Sequence, residues 1–254
     1  MKELVKKIFR SIQVYFPFLQ DFRFTAQMKI NRMLRKPHEH DFALLRKFPL
    51  TGPLSFVDIG TNRGEAIQSM LSVHKHCTIV GFEPNPIIFK KAATLYKDFK
   101  QVKLHNCGLG KERGVFTLYL PFFRNFMFDG LASFNRSEAA GWLKDRIFGY
   151  RAERLRIREI ACELKRLDDF NLSPHFIKID VQGFEYEVLE GALETLKKTH
   201  PVLLIETPSE QATGLLNRLG YKAYYYKRRK LRRGRGKLNT YFVDDERISQ
   251  LPLA

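Results

Sequence analysis

The chain has 254 residues, 44% of them hydrophobic, three cysteines and a formal net charge of +17. That is long enough for one large α/β domain; no stretch approaches the ~20 apolar residues of a membrane span, and Lys6, Lys7 and Arg10 interrupt any signal-peptide core. Cys77, Cys107 and Cys162 form no C-x-x-C pair and read as free thiols of a reducing compartment, so a cytoplasmic location is expected.

The charge is uneven. Residues 1–47 carry a net +7 and residues 222–237 a net +9, leaving +1 for the rest. The basicity therefore belongs to two appendages. In the first, Leu4, Val5, Ile8, Phe9 and Ile12 share a helical face, with Lys6, Lys7 and Arg10 elsewhere. Phe16-Pro-Phe-Leu19 breaks that helix, and a second runs from about Phe22 to Leu34. Residues 1–50 read as a basic helical extension and 51–254 as the main domain. The favoured reading packs its apolar face on its own domain; the alternative is that this basic amphipathic segment lies on the surface of an anionic membrane, here its inner face.

The main domain opens with Ser55-Phe-Val-Asp-Ile-Gly-Thr-Asn-Arg-Gly64: a short buried strand, a sharp turn at Gly60, and a helix whose start Gly64 permits close to the strand. Such a turn presents free backbone N–H groups to a polar ligand. A second strand, Thr78 to Phe82, leads into Gly81-Phe-Glu-Pro-Asn-Pro86. Its acidic residue, Glu83, stands about 20 residues beyond the turn, where a carboxylate accepts hydrogen bonds from ribose hydroxyls. A dinucleotide site needs G-x-G-x-x-G, and the middle glycine is here Asn62.

Asn85 and Pro86 form an N-cap and first helical position, and the helix they start should bury Ile88, Phe89, Ala92 and Leu95. A third strand, Val102 to His105, ends at Asn106. Gly114 to Leu120 reads as an added strand. Residues 121–150, which include Asp129-Gly-Leu-Ala-Ser-Phe134, read as an irregular aromatic-rich connection, either a functional lid or disordered. Leu155 to Leu164 is a further strand, then a short helix at Leu167-Asp-Asp-Phe170 and a buried strand to Asp180. One helix then carries Val188, Leu189, Ala192, Leu193 and Leu196. Val202 to Glu206 is a strand, Ser209 to Leu219 a helix closed by Gly220. Tyr221 to Tyr226 and Asn239 to Val243 close the sheet, joined by the basic run from Lys227 to Lys237.

The most specific stretch is Phe176-Ile-Lys-Ile-Asp-Val-Gln-Gly-Phe-Glu-Tyr-Glu-Val-Leu-Glu-Gly-Ala192. With Val57-Asp-Ile-Gly-Thr-Asn-Arg-Gly64, Gly81-Phe-Glu-Pro-Asn-Pro86, Asp168-Asp169 and Pro201-Val-Leu-Leu-Ile-Glu206, it resembles the FkbM family of S-adenosylmethionine (SAM)-dependent methyltransferases over about residues 54 to 245. Gln182 departs from the glutamate the family often has there. The resemblance implies a class I methyltransferase fold: a Rossmann-like, seven-stranded, mostly parallel sheet with helices on both faces and SAM over the carboxyl ends of the strands. It implies that Asp58, Gly60, Thr61, Asn62 and Gly64 surround the methionine part of SAM. Glu83 and Pro84 would lie at the ribose and Asn106 beside the adenine.

Methyl transfer to a hydroxyl needs an aligned acceptor and a group that takes its proton. Asp180 and Glu206 end two strands expected to be neighbours, with Lys178 on the strand face of Asp180. Asp180 is the first candidate base, Glu206 the second. Ser133, Gln182 and Glu185 are candidates for the acceptor side, although Glu185 on a first helical turn also suits a dipole-complementing surface acid. Arg228, Arg229, Arg232 and Arg233 are expected on a hairpin tip beside the mouth of the site, recruiting an anionic glycan or small-molecule acceptor. No metal site is expected, Mg²⁺ at Asp180 and Glu206 being the alternative. N-methylation is the alternative chemistry, and a non-catalytic adaptor for nucleic acid or anionic membrane the alternative role. Nucleic acid is the less favoured partner, because the run has no interleaved aromatic platform.

Overall fold

The computed structural model describes residues 2–16, 18–48, 52–144, 146–249 and 251. The side chains of Lys2, Glu3, Val5, Lys6 and Phe9 lie outside the described residues, as does Leu50 at the expected domain boundary.

Two helices open the chain, α1 (Lys2–Tyr15) and α2 (Phe18–Met33), and a 3-10 segment follows at His40–Lys47. The glycine turn joins β1 (Ser55–Ile59) to α3 (Glu65–Val73). Then come β2 (Thr78–Phe82), α4 (Pro86–Tyr96) and β3 (Val102–His105). Asn85 caps α4 by accepting from the Ile87 N–H. In that helix Leu95 is exposed and Tyr96 is the buried residue, contrary to expectation. The Tyr96 hydroxyl donates to the Gly64 carbonyl at 2.6 Å, so α4 packs on the start of α3 through this tyrosine.

A separate sheet forms from β4 (Gly108–Leu109), β5 (Gly114–Phe123), β6 (Phe126–Met127) and β7 (Leu155–Lys165), in the order β4-β7-β5-β6. The connection between β5 and β7 is more ordered than its composition suggests. It holds β6, a 3-10 turn at Asp129–Leu131 and α5 (Arg136–Gly141). Its Phe123, Phe126, Phe128, Leu143 and Ile147 form a small core with Val14 of α1.

The main sheet continues with β8 (Phe176–Ile179), α6 (Glu185–Glu190), α7 (Leu193–Thr199), β9 (Val202–Glu206) and α8 (Glu210–Arg218). The single helix expected after β8 is two, parted at Gly191, whose added Cβ would lie 1.9 Å from the Gly110 carbonyl oxygen. Asp168 caps α7, accepting from the Thr195 N–H and hydroxyl at 2.8 Å each. The chain ends with β10 (Lys222–Lys227), β11 (Lys230–Arg233), β12 (Asn239–Val243) and α9 (Asp245–Ile248). The basic run, expected as a plain connection, forms β11 itself.

The strand order is β11-β10-β12-β9-β8-β1-β2-β3. Pairings from β9 to β3 are parallel, and β12 runs antiparallel to both β9 and β10. Without the edge strand β11 this is the expected seven-stranded, mostly parallel sheet, and one edge collects the carboxyl ends of β1, β2, β8 and β9. Alternation sorts the side chains. Val57, Ile59, Ile177 and Ile179 join the core under α6 to α8. Phe56 and Phe176 join the opposite core with Phe42, Leu44 and Leu45 of the 3-10 segment, each at most 1% exposed. The last part of the N-terminal extension thus shares the main core, and a division at residue 50 falls next to it.

Candidate active site

The turn after β1 follows from sterics. Gly60 and Gly64 have φ of +82° and +94°, and a Cβ on Gly60 would lie 1.8 Å from the Asp180 carbonyl oxygen. Glycine at 60 lets the ends of β1 and β8 approach. The residues following three strand ends also carry strain: Asn62, Gln182 and Thr207 have φ of 47°, 51° and 41°. Left-handed non-glycine residues persist only where their surroundings hold them, and they gather at binding sites.

Above these ends lies a pocket of about 280 Å³. Gly60, Asn62, Glu83 and Pro84 line it, with Asp180, Gln182 and Glu206 opposite and Leu109, Leu118 and Phe134 as apolar wall. The residues expected to hold SAM therefore divide. Glu83 is fixed by two backbone donors, the Asn62 N–H at 2.7 Å and the Asn85 N–H at 2.9 Å, one on each oxygen. A carboxylate oxygen accepts more than one bond, so both retain capacity toward the pocket. Thr61, Gly64 and Asn106 stand behind the wall. The Thr61 hydroxyl donates to the Asp58 carbonyl, and the Asn106 amide donates to the carbonyls of Glu83 and Pro84. Asn106, expected beside an adenine, braces the turn that presents Glu83.

Asp58 is 1% exposed, and neither carboxylate oxygen has a hydrogen-bond partner among the described residues. Its register partner on β8 is Lys178. Lys178 Nζ lies 3.9 Å from both Asp180 Oδ2 and Glu206 Oε2, and 3.5 Å from Asn239 Oδ1. The Asn239 amide donates to Glu39 at 2.8 Å and Asp41 at 3.0 Å, so the N-terminal extension reaches this cluster. Gln182 donates to Asp180 at 2.8 Å, a bond that a glutamate at this position would replace with like-charge repulsion.

Burial dominates the electrostatics. It pushes Asp58 and Glu83 up to about 7, Asp58 in spite of Lys178. Burial, aided by a hydrogen bond to Asp180, pushes Glu206 up to about 8. A basic protein thus holds an acid-lined, desolvated site. Such carboxyls keep protons in the native state that the unfolded chain has released, so native stability falls as pH rises from their ordinary values of 3.8 to 4.5 toward about 8. The ligand-free protein is accordingly expected to melt at a lower temperature at pH ~8 than at pH ~5.5, as thermal unfolding in matched ionic strength would record. An unchanged or opposite trend would contradict this protonation.

Of the acceptor-side candidates, Gln182 lines the pocket. Ser133 is buried and donates to Glu138 at 2.9 Å. Glu185 is no surface acid: it is 3% exposed and accepts from the Gly183 N–H at 3.1 Å. β10 ends on the same edge as β1, β8 and β9, as expected. The hairpin tip at Arg228 and Arg229 sits two strands away from β9, and none of the four arginines lines the pocket. Arg232 and Arg233 lie down the edge strand, opposite Tyr225 and Tyr224.

Sequence reasoning missed Asp129, which lines the pocket, and its partner Arg63. Arg63 Nε bonds Asp129 at 2.5 Å, its Nη1 bonds Asp21, and Lys91 holds Asp21 at 2.9 Å. The connection over the pocket, the glycine turn and α2 are thereby tied at one buried guanidinium. No local signal marks this, although Arg63 inside the turn invited the question. Among the described residues no three His, Cys, Asp or Glu side chains are grouped to hold a metal ion.

A mostly parallel sheet with an acidic pocket over the turns at its carboxyl edge is the arrangement of a Rossmann-like methyltransferase. The Methyltransferase FkbM domain matches residues 58–223, and the chain belongs to this family of SAM-dependent methyltransferases. No curated protein matches. Among solved structures, a methyltransferase FkbM from Methylobacillus flagellatus KT is 18% identical with a TM-score of 0.48, over 75% of this chain and 43% of that one. The chain thus spans less than half of that protein. A precorrin-6y C5,15-methyltransferase from Geobacter metallireducens GS-15 is 15% identical with a TM-score of 0.40, over 79% of this chain and 83% of that one. An rRNA methylase from Streptococcus thermophilus is 11% identical with a TM-score of 0.44, over 82% and 96%. The family match, and not these likenesses, carries the assignment. Among the described residues no helix is long and apolar enough to cross a membrane.

Proposed function

We propose that the protein O-methylates a hydroxyl of an anionic acceptor, a sugar, glycan or other small molecule, with SAM as donor and Asp180 as base. The observation that carries this reading is the carboxyl pair Asp180 and Glu206, each 3.9 Å from Lys178, across the pocket from Gly60, Asn62 and Glu83. A cationic cofactor fits a pocket lined by Glu83, Asp129, Asp180 and Glu206, with the unpartnered Asp58 carboxyl buried behind its wall. When bound, SAM supplies an electrophilic methyl group on a sulfonium. Glu83 would orient the ribose, and the unpaired Asp58 would favour positive charge from beneath. Glu206, kept protonated by its burial, leaves Asp180 to accept the acceptor's hydroxyl proton as the O–CH₃ bond forms and the C–S bond breaks. Lys178, 3.9 Å from both, stabilises the charge that Asp180 carries before it takes the proton. The test is S-adenosylhomocysteine formation with paired anionic and neutral glycans. Turnover confined to the anionic members supports the reading; equal turnover of both removes the anionic preference.

α1 supports peripheral contact with an anionic membrane. Leu4, Ile8, Ile12 and Tyr15 share one face and are 56%, 43%, 44% and 60% exposed, whereas Val14 is buried against the aromatic connection. The exposed stripe is what an interfacial helix presents to acyl chains. Ile8→Asp/Ile12→Asp is expected to lose cosedimentation with phosphatidylglycerol vesicles while keeping SAM affinity. Equal cosedimentation of parent and variant would remove the membrane contact.

A further inference from the structure

A second concavity of the molecule has the opposite sign. The end of α2, the following 3-10 segment and the hairpin tip of β10 and β11 enclose a cleft of about 560 Å³. Arg35, Lys36, Arg46, Lys47 and Arg229 line it, with His38 and His40, and no carboxylate is in its wall. Among the described residues none of these five cations pairs with a carboxylate. Two of them are held by backbone instead: Arg46 donates to the Arg35 carbonyl at 3.3 Å and Lys47 to the Arg229 carbonyl at 2.9 Å. Arg35, Arg228 and Arg229 have φ of 48°, 51° and 65°. A two-residue turn with both positions left-handed favours Asn-Gly, so two arginines there retain charge at a conformational cost. Uncompensated cations fixed in a concavity lower the energy of a multivalent anion that accepts several charge-assisted hydrogen bonds.

The cleft and the methyl-transfer pocket are both bordered by a third groove. This smaller groove along α2 shares His38 with the basic cleft, and Asn62 and Asp129 with the acidic pocket. One extended molecule along this line meets cations at one end and the Asp180–Glu206 pair at the other. Its anionic end is repelled by the acidic pocket, which sets its direction.

We propose that the basic cleft is a phosphate-binding site, taking a phosphomonoester or diphosphate group that anchors the acceptor away from its methylated hydroxyl. The proposal rests on the anionic-acceptor reading above and narrows it to a phosphorylated class. The test is titration of the full chain with inorganic pyrophosphate, with SAM titrated separately. Arg35→Gln/Arg46→Gln/Arg229→Gln is expected to weaken pyrophosphate by about 100-fold, from the loss of three charge-assisted contacts. It is expected to leave SAM affinity and melting temperature unchanged. Arg151→Gln/Arg156→Gln/Arg158→Gln removes equal charge elsewhere and is expected to bind pyrophosphate like the parent. If the first variant unfolds, Arg46→Gln alone, an exposed position, is read in its place and is expected to lose about tenfold. Phosphatidic acid in phosphatidylcholine vesicles separates the sources of the phosphate. Added binding by the parent that the first variant loses assigns a lipid-linked acceptor, and pyrophosphate binding without it assigns a soluble one. Absence of pyrophosphate binding, or equal loss in both triple variants, overturns the site. Failure of SAM binding in the parent would instead overturn the methyl-transfer reading and leave the phosphate titration standing.

Discussion

Asp180→Asn is expected to lower turnover by about 10²-fold or more while leaving SAM affinity nearly unchanged. The substitution keeps the shape of the side chain and a partner for Gln182, which now donates to Asp180 at 2.8 Å. It removes the group placed to receive the hydroxyl proton. Glu206→Gln is the informative companion. Burial and the Asp180 bond keep Glu206 protonated up to about 8, so it already behaves as a neutral donor at neutral pH. An amide preserves that donor, and a milder loss is expected. Stopped assays of S-adenosylhomocysteine formation across pH distinguish the two. Were Glu206→Gln the severe change and Asp180→Asn the mild one, the roles within the pair would be exchanged. EDTA is expected to have little effect on the parent; a full loss reversed by Mg²⁺ would move these carboxylates to metal ligation.

Gly60→Ala is expected to destabilise the protein by roughly 3 kcal/mol or more, the range of severe backbone conflicts, and to abolish SAM binding. Two causes act together. The backbone is at φ +82°, where a Cβ is strained, and that Cβ would meet the Asp180 carbonyl oxygen at 1.8 Å and its carbon at 2.8 Å. Relief by rotating a side chain is unavailable, because the obstacle is backbone held by the Asp180 N–H to Ile59 carbonyl bond at 2.9 Å. The ends of β1 and β8 must separate, which displaces both the glycine turn and Asp180. Gly52→Ala, with nothing within 4 Å of its added Cβ, controls for the substitution itself. Thermal unfolding and SAM titration of the two variants check this; a Gly60→Ala protein that melts and binds like the parent would contradict the turn.

The parallel core was legible because its strands are short apolar runs punctuated by glycine, proline and good caps. Asn85 and Ser209 cap the helices expected of them. Lys178, Asp180 and Glu206 were found together because alternation and neighbouring strand ends place them on one edge. Other parts depend on contacts without a local signature. The bonds from Asn239 to Glu39 and Asp41 join residues about 200 positions apart, and Arg63 joins Asp21 to Asp129 across three segments. At the break between α6 and α7, Gly191 packs against the backbone of Gly110, a contact from a distant segment. The basic run was legible as charge, but its cleft needed α2 and residues 40–47 to complete it.

The most direct measurement is isothermal titration of the full chain with SAM, repeated with Glu83→Ala. Glu83 fixes the Asn62 and Asn85 N–H groups and lines the pocket, so its removal disturbs the cofactor side without touching Asp180. Saturable binding of one SAM per chain is expected, weakened by about 1–3 kcal/mol in Glu83→Ala. Affinity should also rise with pH between about 6 and 8, since Asp58 and Glu83, raised to about 7 without ligand, release protons when a cation enters. No heat of binding in the parent at SAM concentrations approaching millimolar, or an affinity unaltered by Glu83→Ala, would contradict the account.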